Sequence, residues 1–227
     1  MTVALCLLTW NEIDGVKHDV PLIDRRKFEQ LYCIDGGSTD GTVEFLGSQG
    51  VPVYHQTAKG LNQACWDGAL KCECDALVFY HPKGTISVAD TYRFRDLFEQ
   101  GYEFVVASRN MKGGRNEEDA RLLRPRKWFV QCLGLAAKLL FKREGNTVWD
   151  VLHGFRGVTR ASFLSMPKTD GKCTIDIEMV CHSYKRRTKQ IEFPTSESSR
   201  LGGGTHFKAW ATGKQILKCL WREWVEK

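Results

Sequence analysis

The chain is expected to fold as a single α/β domain, with a mostly parallel sheet covered by helices on both faces. Three observations carry that expectation. Short apolar runs of strand length alternate with helical patterns through the first half. The 227 residues suffice for one sizeable core, and 42% hydrophobic with 26% charged residues excludes a disordered or collagen-like chain. No apolar run reaches the roughly 18–20 residues of a membrane span; the longest, 129–141, contains Gln131 and Lys138.

The elements follow in order. Residues 3–8 form a short apolar run, read as a buried strand. Residues 28–34 lead to a second strand ending in Asp35. A helix is expected over 39–49, with Thr39 as cap and Val43, Phe45 and Leu46 facing inward. Strands at 51–55, 76–80 and 104–108 alternate with a helix at 61–71, whose Ala64, Cys65, Gly68 and Ala69 form a small-residue packing face. The second half is less regular. A polar, basic loop spans 113–127, a helix 128–142, a strand and turn 149–159, a helix 174–186 and a strand 190–194. A Gly/Ser-rich loop (196–204) precedes an amphipathic helix at 207–226. The expected division is a main domain over 1–206 and a C-terminal amphipathic helix over 207–227.

The N-terminal MTVALCLLTW lacks a basic leader and a cleavage signature, so it reads as a first strand rather than a signal peptide. Nine cysteines, an odd number in a chain too long to need stapling, read as free thiols of a reducing, cytoplasmic compartment. Cys72 and Cys74 lack a second Cys/His pair at zinc-finger spacing. The net charge of +6 permits nucleic-acid binding, but no recognised nucleic-acid motif is present and none is expected as a partner.

The most informative segment is CIDGGSTDGT, residues 33–42. It follows a strand and opens a helix, the place where ligands bind in open α/β sheets. Asp35 can accept bonds from a base N–H or ribose hydroxyls, and Gly36 and Gly37 allow close backbone approach. An ordinary strand–turn–helix connection explains the same residues equally well.

This segment resembles the V-D-D-G-S-T-D-G-T motif of family 2 glycosyltransferases with the GT-A fold, a Rossmann-like architecture. Further pieces follow in order: LLTWNE (7–12), KGLNQACWDGA (59–69), ASRN (107–110), DVLHGFR (150–156), TIDIEM (174–179) and EFPTSESSRLGGGTHF (192–207). The last four resemble the branch containing dolichyl-phosphate mannose synthase and bacterial polyprenyl-phosphate glycosyltransferases. The resemblance implies a donor pocket of Thr9, Asn11, Glu12, Asp35, Gly36, Lys59, Gly60 and Asp67, although Asp67 reads equally as a solvated helix residue. It also implies acceptor or phosphate contacts by Arg109, Arg124, Arg156 and Arg200. Single arginines of the basic loop are matched about as well by a solvated role.

One departure stands out. Where the family carries D-x-D at the end of the fourth strand, this chain has His81-Pro82-Lys83. Hard cations want oxygen ligands, and a charged lysine cannot coordinate a metal. Three readings are open: the Lys83 ammonium neutralises the diphosphate without a metal, Mn²⁺ or Mg²⁺ is retained through His81 or other carboxylates, or catalysis is lost. A phosphate acceptor needs no general base, whereas a hydroxyl acceptor does; Asp150, Asp176 and Glu178 are the candidates, with Asp150 and Glu178 at family positions. The C-terminal helix interleaves tryptophans with lysines and reads either as a membrane-interface helix or as an ordinary packed one.

The expected activity is therefore sugar transfer with inversion from a UDP- or GDP-sugar to a polyprenyl phosphate, by an enzyme peripheral to a cytoplasmic membrane face. Transfer to a glycan or other hydroxyl, or binding without catalysis, are the alternatives.

Overall fold

The computed structural model describes residues 1–120, 123–142, 144–199, 201 and 209–226. In chain order the elements are β1 (Val3–Thr9), α1 (Ile13–Asp19), β2 (Gln30–Asp35), α2 (Thr42–Ser48), β3 (Val53–His55), α3 (Leu61–Lys71), β4 (Ala76–Tyr80), α4 (Arg93–Glu99), β5 (Phe104–Ser108), α5 (Pro125–Phe141), β6 (Arg156–Thr159), α6 (Arg160–Leu164), α7 (Ile175–Lys185), β7 (Gln190–Pro194) and α8 (Ala209–Val225). The seven strands form one sheet in the order β3-β2-β1-β4-β6-β5-β7. All neighbours pair in parallel except β6, which runs antiparallel to both β4 and β5.

The expected α/β class is the observed one. All seven residues of β1 are buried, as a strand covered on both faces requires. Its alternate side chains feed two cores. Ala4, Cys6 and Leu8 pack with Phe79, Leu133 and Val180 on one face, and Val3, Leu5 and Leu7 with Phe94 and Phe98 on the other. The nine cysteines are free thiols, seven of them buried. Among the described residues no helix is long and apolar enough to cross a membrane.

Several boundaries differ from expectation. α1, α4 and α6 were not anticipated; at five to seven residues each, they carry too few turns for a readable apolar period. α2 starts at Thr42 rather than Thr39, because Asp40 takes the Thr42 N–H (3.0 Å) and hydroxyl (2.6 Å) and holds the preceding residues in a loop. α5 starts at Pro125, where proline's missing N–H costs nothing in a first helical turn.

Candidate functional site

β1, β2 and β4 are parallel, so their carboxyl ends share one edge of the sheet. The reversed β6 begins at that same edge, where Arg156 pairs with Phe79 of β4 and Val106 of β5. The segments after β4, after β5 and before β6 therefore converge.

Residues expected to line the donor pocket are brought together as a framework. Asp35 is fully buried. Its Oδ1 accepts from the Thr9 (2.9 Å) and Ser38 (2.5 Å) hydroxyls, and its Oδ2 from the Gly37 and Ser38 N–H groups, both at 2.8 Å. These four bonds fill the carboxylate's acceptor positions, so in this structure Asp35 shapes the loop rather than presenting oxygens to a ligand. Asn11, in the left-handed region at φ 53°, donates its N–H to Ser38 Oγ (2.8 Å) and accepts the Thr39 N–H on Oδ1 (2.8 Å). Buried Glu12 donates its N–H to Thr42 Oγ1 (3.1 Å). Gly36 lies against Trp10, whose half-exposed ring borders the same edge.

Asp67 is buried on α3 and accepts from the Thr57 N–H (2.7 Å), the Thr57 hydroxyl and Gln63 (2.7 Å). It fastens the loop carrying exposed Lys59 and is not a solvated helix residue. Gly60, at φ 119°, leaves room only for a hydrogen: a Cβ would lie 2.9 Å from the Lys172 carbonyl.

Beside this framework lies a cavity of about 310 Å³, lined among others by His81, Lys83, Arg109, His153, Asp176 and Glu197. Arg109 donates Nε (2.9 Å) and Nη2 (2.9 Å) to the two oxygens of Asp150, and Nη1 to Glu197 Oε2 (2.7 Å). Burial alone would raise the Asp150 pKa; the Arg109 charge and hydrogen bonds override it and hold Asp150 at about 2. Asp176 moves the other way, raised by burial against the opposing charge of Arg156. The Lys83 charge acts on both Asp176 and Glu197, favouring their ionised forms.

His153 contacts the Ala107 carbonyl through Nδ1 at 2.5 Å. A carbonyl only accepts, so Nδ1 carries the proton and Nε2 is left as an acceptor. Burial first, and the Arg109 charge second, push its pKa down to about 4. The folded chain thus resists a proton that the unfolded chain takes up near pH 6.5. Stability is expected to be full above pH 6.5 and to fall toward pH 4, by on the order of 3 kcal/mol from this group. Glu192, raised by burial to about 6, works in the opposite sense, losing stability as pH rises from 4.5 to 6. The measurement is thus a comparison of thermal unfolding against pH with His153→Gln, whose profile should be flatter between pH 6.5 and 4. Parallel profiles would reject the assignment.

Not every expected residue reaches the cavity. Arg156 is completely buried, donating to the His153 carbonyl (2.8 Å) and the Asp176 carbonyl (2.7 Å) and pairing with Asp176 Oδ1 at 3.2 Å. Its guanidinium is spent inside the fold rather than offered to an acceptor phosphate. Asp150 is sealed behind Arg109. Glu178 faces away, accepting from Thr174 (2.7 Å), Thr169 (2.9 Å), Asn62 (3.2 Å) and Arg222 (3.1 Å). Arg124 is tied to Asp119 at 3.2 Å and does not line the cavity. Arg200 lies outside the described residues. The carboxylate on the wall is instead Asp176, and His153 and Glu197 join it without having been anticipated. For His153 the available signal was its place within the DVLHGFR segment, 150–156.

The His81–Lys83 turn rests on α1. A Cβ on Gly15 would lie 2.1 Å from the Pro82 carbonyl oxygen and 2.6 Å from Lys83 Cα. In an unconstrained helix Gly→Ala is stabilising by about 1 kcal/mol; here Gly15→Ala is expected to cost roughly 1–3 kcal/mol through overpacking and to lower turnover by displacing Lys83. Denaturant unfolding and initial rates check it, and a gain in stability would reject the close contact.

Among the described residues no three His, Cys, Asp or Glu side chains group to hold a metal ion. At the D-x-D position the donor set is an imidazole and an ammonium, which does not suit Mn²⁺ or Mg²⁺.

No protein-family model matches the chain. It is 28% identical over 209 residues to glycosyltransferase AglJ of Haloferax volcanii, a match covering 88% of this chain and 65% of that relative's length. Its fold is the GT-A glycosyltransferase fold, as in glucosyl-3-phosphoglycerate synthase from Mycobacterium tuberculosis. The UDP complex of that enzyme aligns with a TM-score of 0.73 and 17% identity, over 98% of this chain and 79% of the other. Its complex with Mn²⁺, UDP-glucose and phosphoglyceric acid aligns at 0.69 with 18% identity, over the same 98% and 79%.

Proposed function

We propose that the protein is an inverting glycosyltransferase that moves a sugar from a UDP- or GDP-sugar to the phosphate of a polyprenyl phosphate at a cytoplasmic membrane face. The observation that carries this reading is the cavity beyond β4 and β5, where Lys83, Arg109, His81 and His153 face two carboxylates. Such a site offers the Lys83 ammonium to a phosphorylated group, while Arg109 is already paired with Asp150 and Glu197. Lys83 takes the donor diphosphate, offsetting the charge that develops as it departs. The acceptor phosphate is already ionised and attacks the anomeric carbon directly. That matters because Asp150 is locked onto Arg109 and Glu178 onto its own network, and neither lines the cavity. A partly apolar groove of about 970 Å³ starts at Asn110, next to Arg109, and runs past Trp128, Leu135 and Trp149; it offers a path for the lipid tail. The relative AglJ is named a glycosyltransferase, and the M. tuberculosis synthase binds UDP-glucose together with Mn²⁺ and phosphoglyceric acid.

A second reading is favoured by one observation. Asp176 lines the cavity with a raised pKa, as a general base for a hydroxyl acceptor would.

The test is turnover of UDP- and GDP-sugars with polyprenyl phosphate, phosphoglyceric acid or a glycan, each in EDTA and in Mn²⁺. Product formed only with polyprenyl phosphate, and undiminished in EDTA, is the expected result. Product only with a hydroxyl acceptor favours the second reading. Activity only with Mn²⁺ overturns the role given to Lys83. Donor binding without turnover on any acceptor overturns the enzymatic reading.

A further inference from the structure

α8 has two faces. On the inner one, Ile216, Cys219, Leu220 and Glu223 are buried, and Thr212 and Ile216 reach the wall of the cavity that holds Lys83 and Asp176. On the outer one, Trp210, Leu217, Trp221 and Trp224 are exposed by 80%, 53%, 63% and 42%. Their spacing of seven, four and three residues is a helical stripe. The Lys214 ammonium lies over the Trp210 ring, 5.4 Å from its centroid, and Lys218 is exposed on the same helix. Gly213 sits beside Phe129 of α5, whose ring is itself partly exposed.

The residue types decide the occupant. A tryptophan presents an apolar ring and one polar N–H, and a lysine an apolar stem and a charged head. Together they match the boundary between lipid headgroups and acyl chains, with the lysines toward anionic headgroups.

The helix is also connected to the site. Arg222 Nη2 donates to Glu178 Oε1 at 3.1 Å, and Lys185 pairs with Glu223 at 2.9 Å. Glu178 in turn holds Thr174, Thr169 and Asn62. Asp176, two residues earlier on α7, faces the cavity. We propose that the outer face of α8 docks on an anionic lipid surface, and that docking fixes the helix as a wall of the cavity, so that a bilayer raises the rate of transfer. The rate effect rests on the transferase reading; the docking does not.

The experiment uses vesicles of phosphatidylcholine and phosphatidylglycerol that contain no polyprenyl phosphate. Co-sedimentation and the blue shift of tryptophan emission read docking. Transfer to a water-soluble short-chain isoprenyl phosphate, with and without vesicles, reads coupling. Hydrogen exchange over 174–178 and 212–216 reads the same coupling without turnover. Wild type should sediment, gain protection in both segments, and speed up by about fivefold or more, the lower end of ordinary allosteric coupling. Trp210→Ser with Trp221→Ser should lose sedimentation and the rate rise together. Arg222→Met should still sediment but lose the rate rise. Failure of wild type to sediment overturns the docking. Sedimentation with unchanged exchange in both segments overturns the coupling. Sedimentation with the gained protection but no transfer under any condition overturns the transferase reading alone.

Discussion

Lys83→Ala is expected to lower turnover by about 10²–10³-fold, the scale for losing one preorganised group that stabilises charge in a transition state. The position of this lysine is fixed from both sides. Asp19 of α1 accepts the Gly84 N–H and the Tyr80 hydroxyl on one oxygen, both at 2.9 Å, so the turn after β4 is pinned at its start and just past the lysine. Gly15 then lets α1 press directly on the Pro82–Lys83 backbone. A flexible cation would lose part of its effect to reorganisation; a turn held in this way reduces that loss. The variant should unfold at the wild-type temperature, and donor affinity should change less than kcat, because the developing charge exists only as the bond breaks. Lys83→Arg should retain part of the rate. A Lys83→Ala enzyme turning over at the wild-type rate removes the lysine from the mechanism.

The second large effect concerns stability. Arg109→Ala is expected to cost about 3–5 kcal/mol, because it leaves Asp150 charged and buried without its partner. The pair is far from a surface ion pair: Asp150 is fully buried and takes three bonds from Arg109, one of them from its N–H at 2.9 Å. Arg109→Met combined with Asp150→Leu should recover part of the loss, since it removes the orphaned Asp150 charge but leaves Glu197 without its bond from Arg109. Urea unfolding of both variants against wild type measures this. A single-variant cost under about 1 kcal/mol would place the pair with ordinary surface salt bridges. The pH dependence has a definite sign. Asp150 is held at about 2 in the fold against roughly 3.9 unfolded. Its contribution is complete above the higher value and is lost as pH falls through the lower one.

Much of the fold was legible because the signals are local. β1, β4 and β5 are buried runs bounded by turn residues, and the DGGSTDGT turn declares a strand end and a helix start. The short helices escaped for the opposite reason: α1 has only Ile13 and Val16 to mark its face, and its real constraint, the Pro82 backbone against Gly15, lies far along the chain. The site divides in the same way. His81 and Lys83 could be found because they replace a motif. Arg156 and Glu178 matched motif positions, yet their side chains turned out to serve the interior, one buried beneath His153 and the other tied to α8. Which way a side chain points at the end of a strand or along a helix depends on what packs against it. That information is spread over α3, α7 and α8 and does not reside in any short segment.

The reversed strand β6 has a thermodynamic consequence. Because it lies between β4 and β5, the cavity walls come from stretches of chain that meet only when the middle of the sheet is assembled. The unfolded chain therefore holds no partial version of the pocket. Any ligand seated there binds the native state alone, and by mass action it stabilises the whole domain, by about 2.7 kcal/mol at a hundredfold excess over its Kd. The melting temperature of the protein thus serves as a direct reporter of occupancy of the pocket.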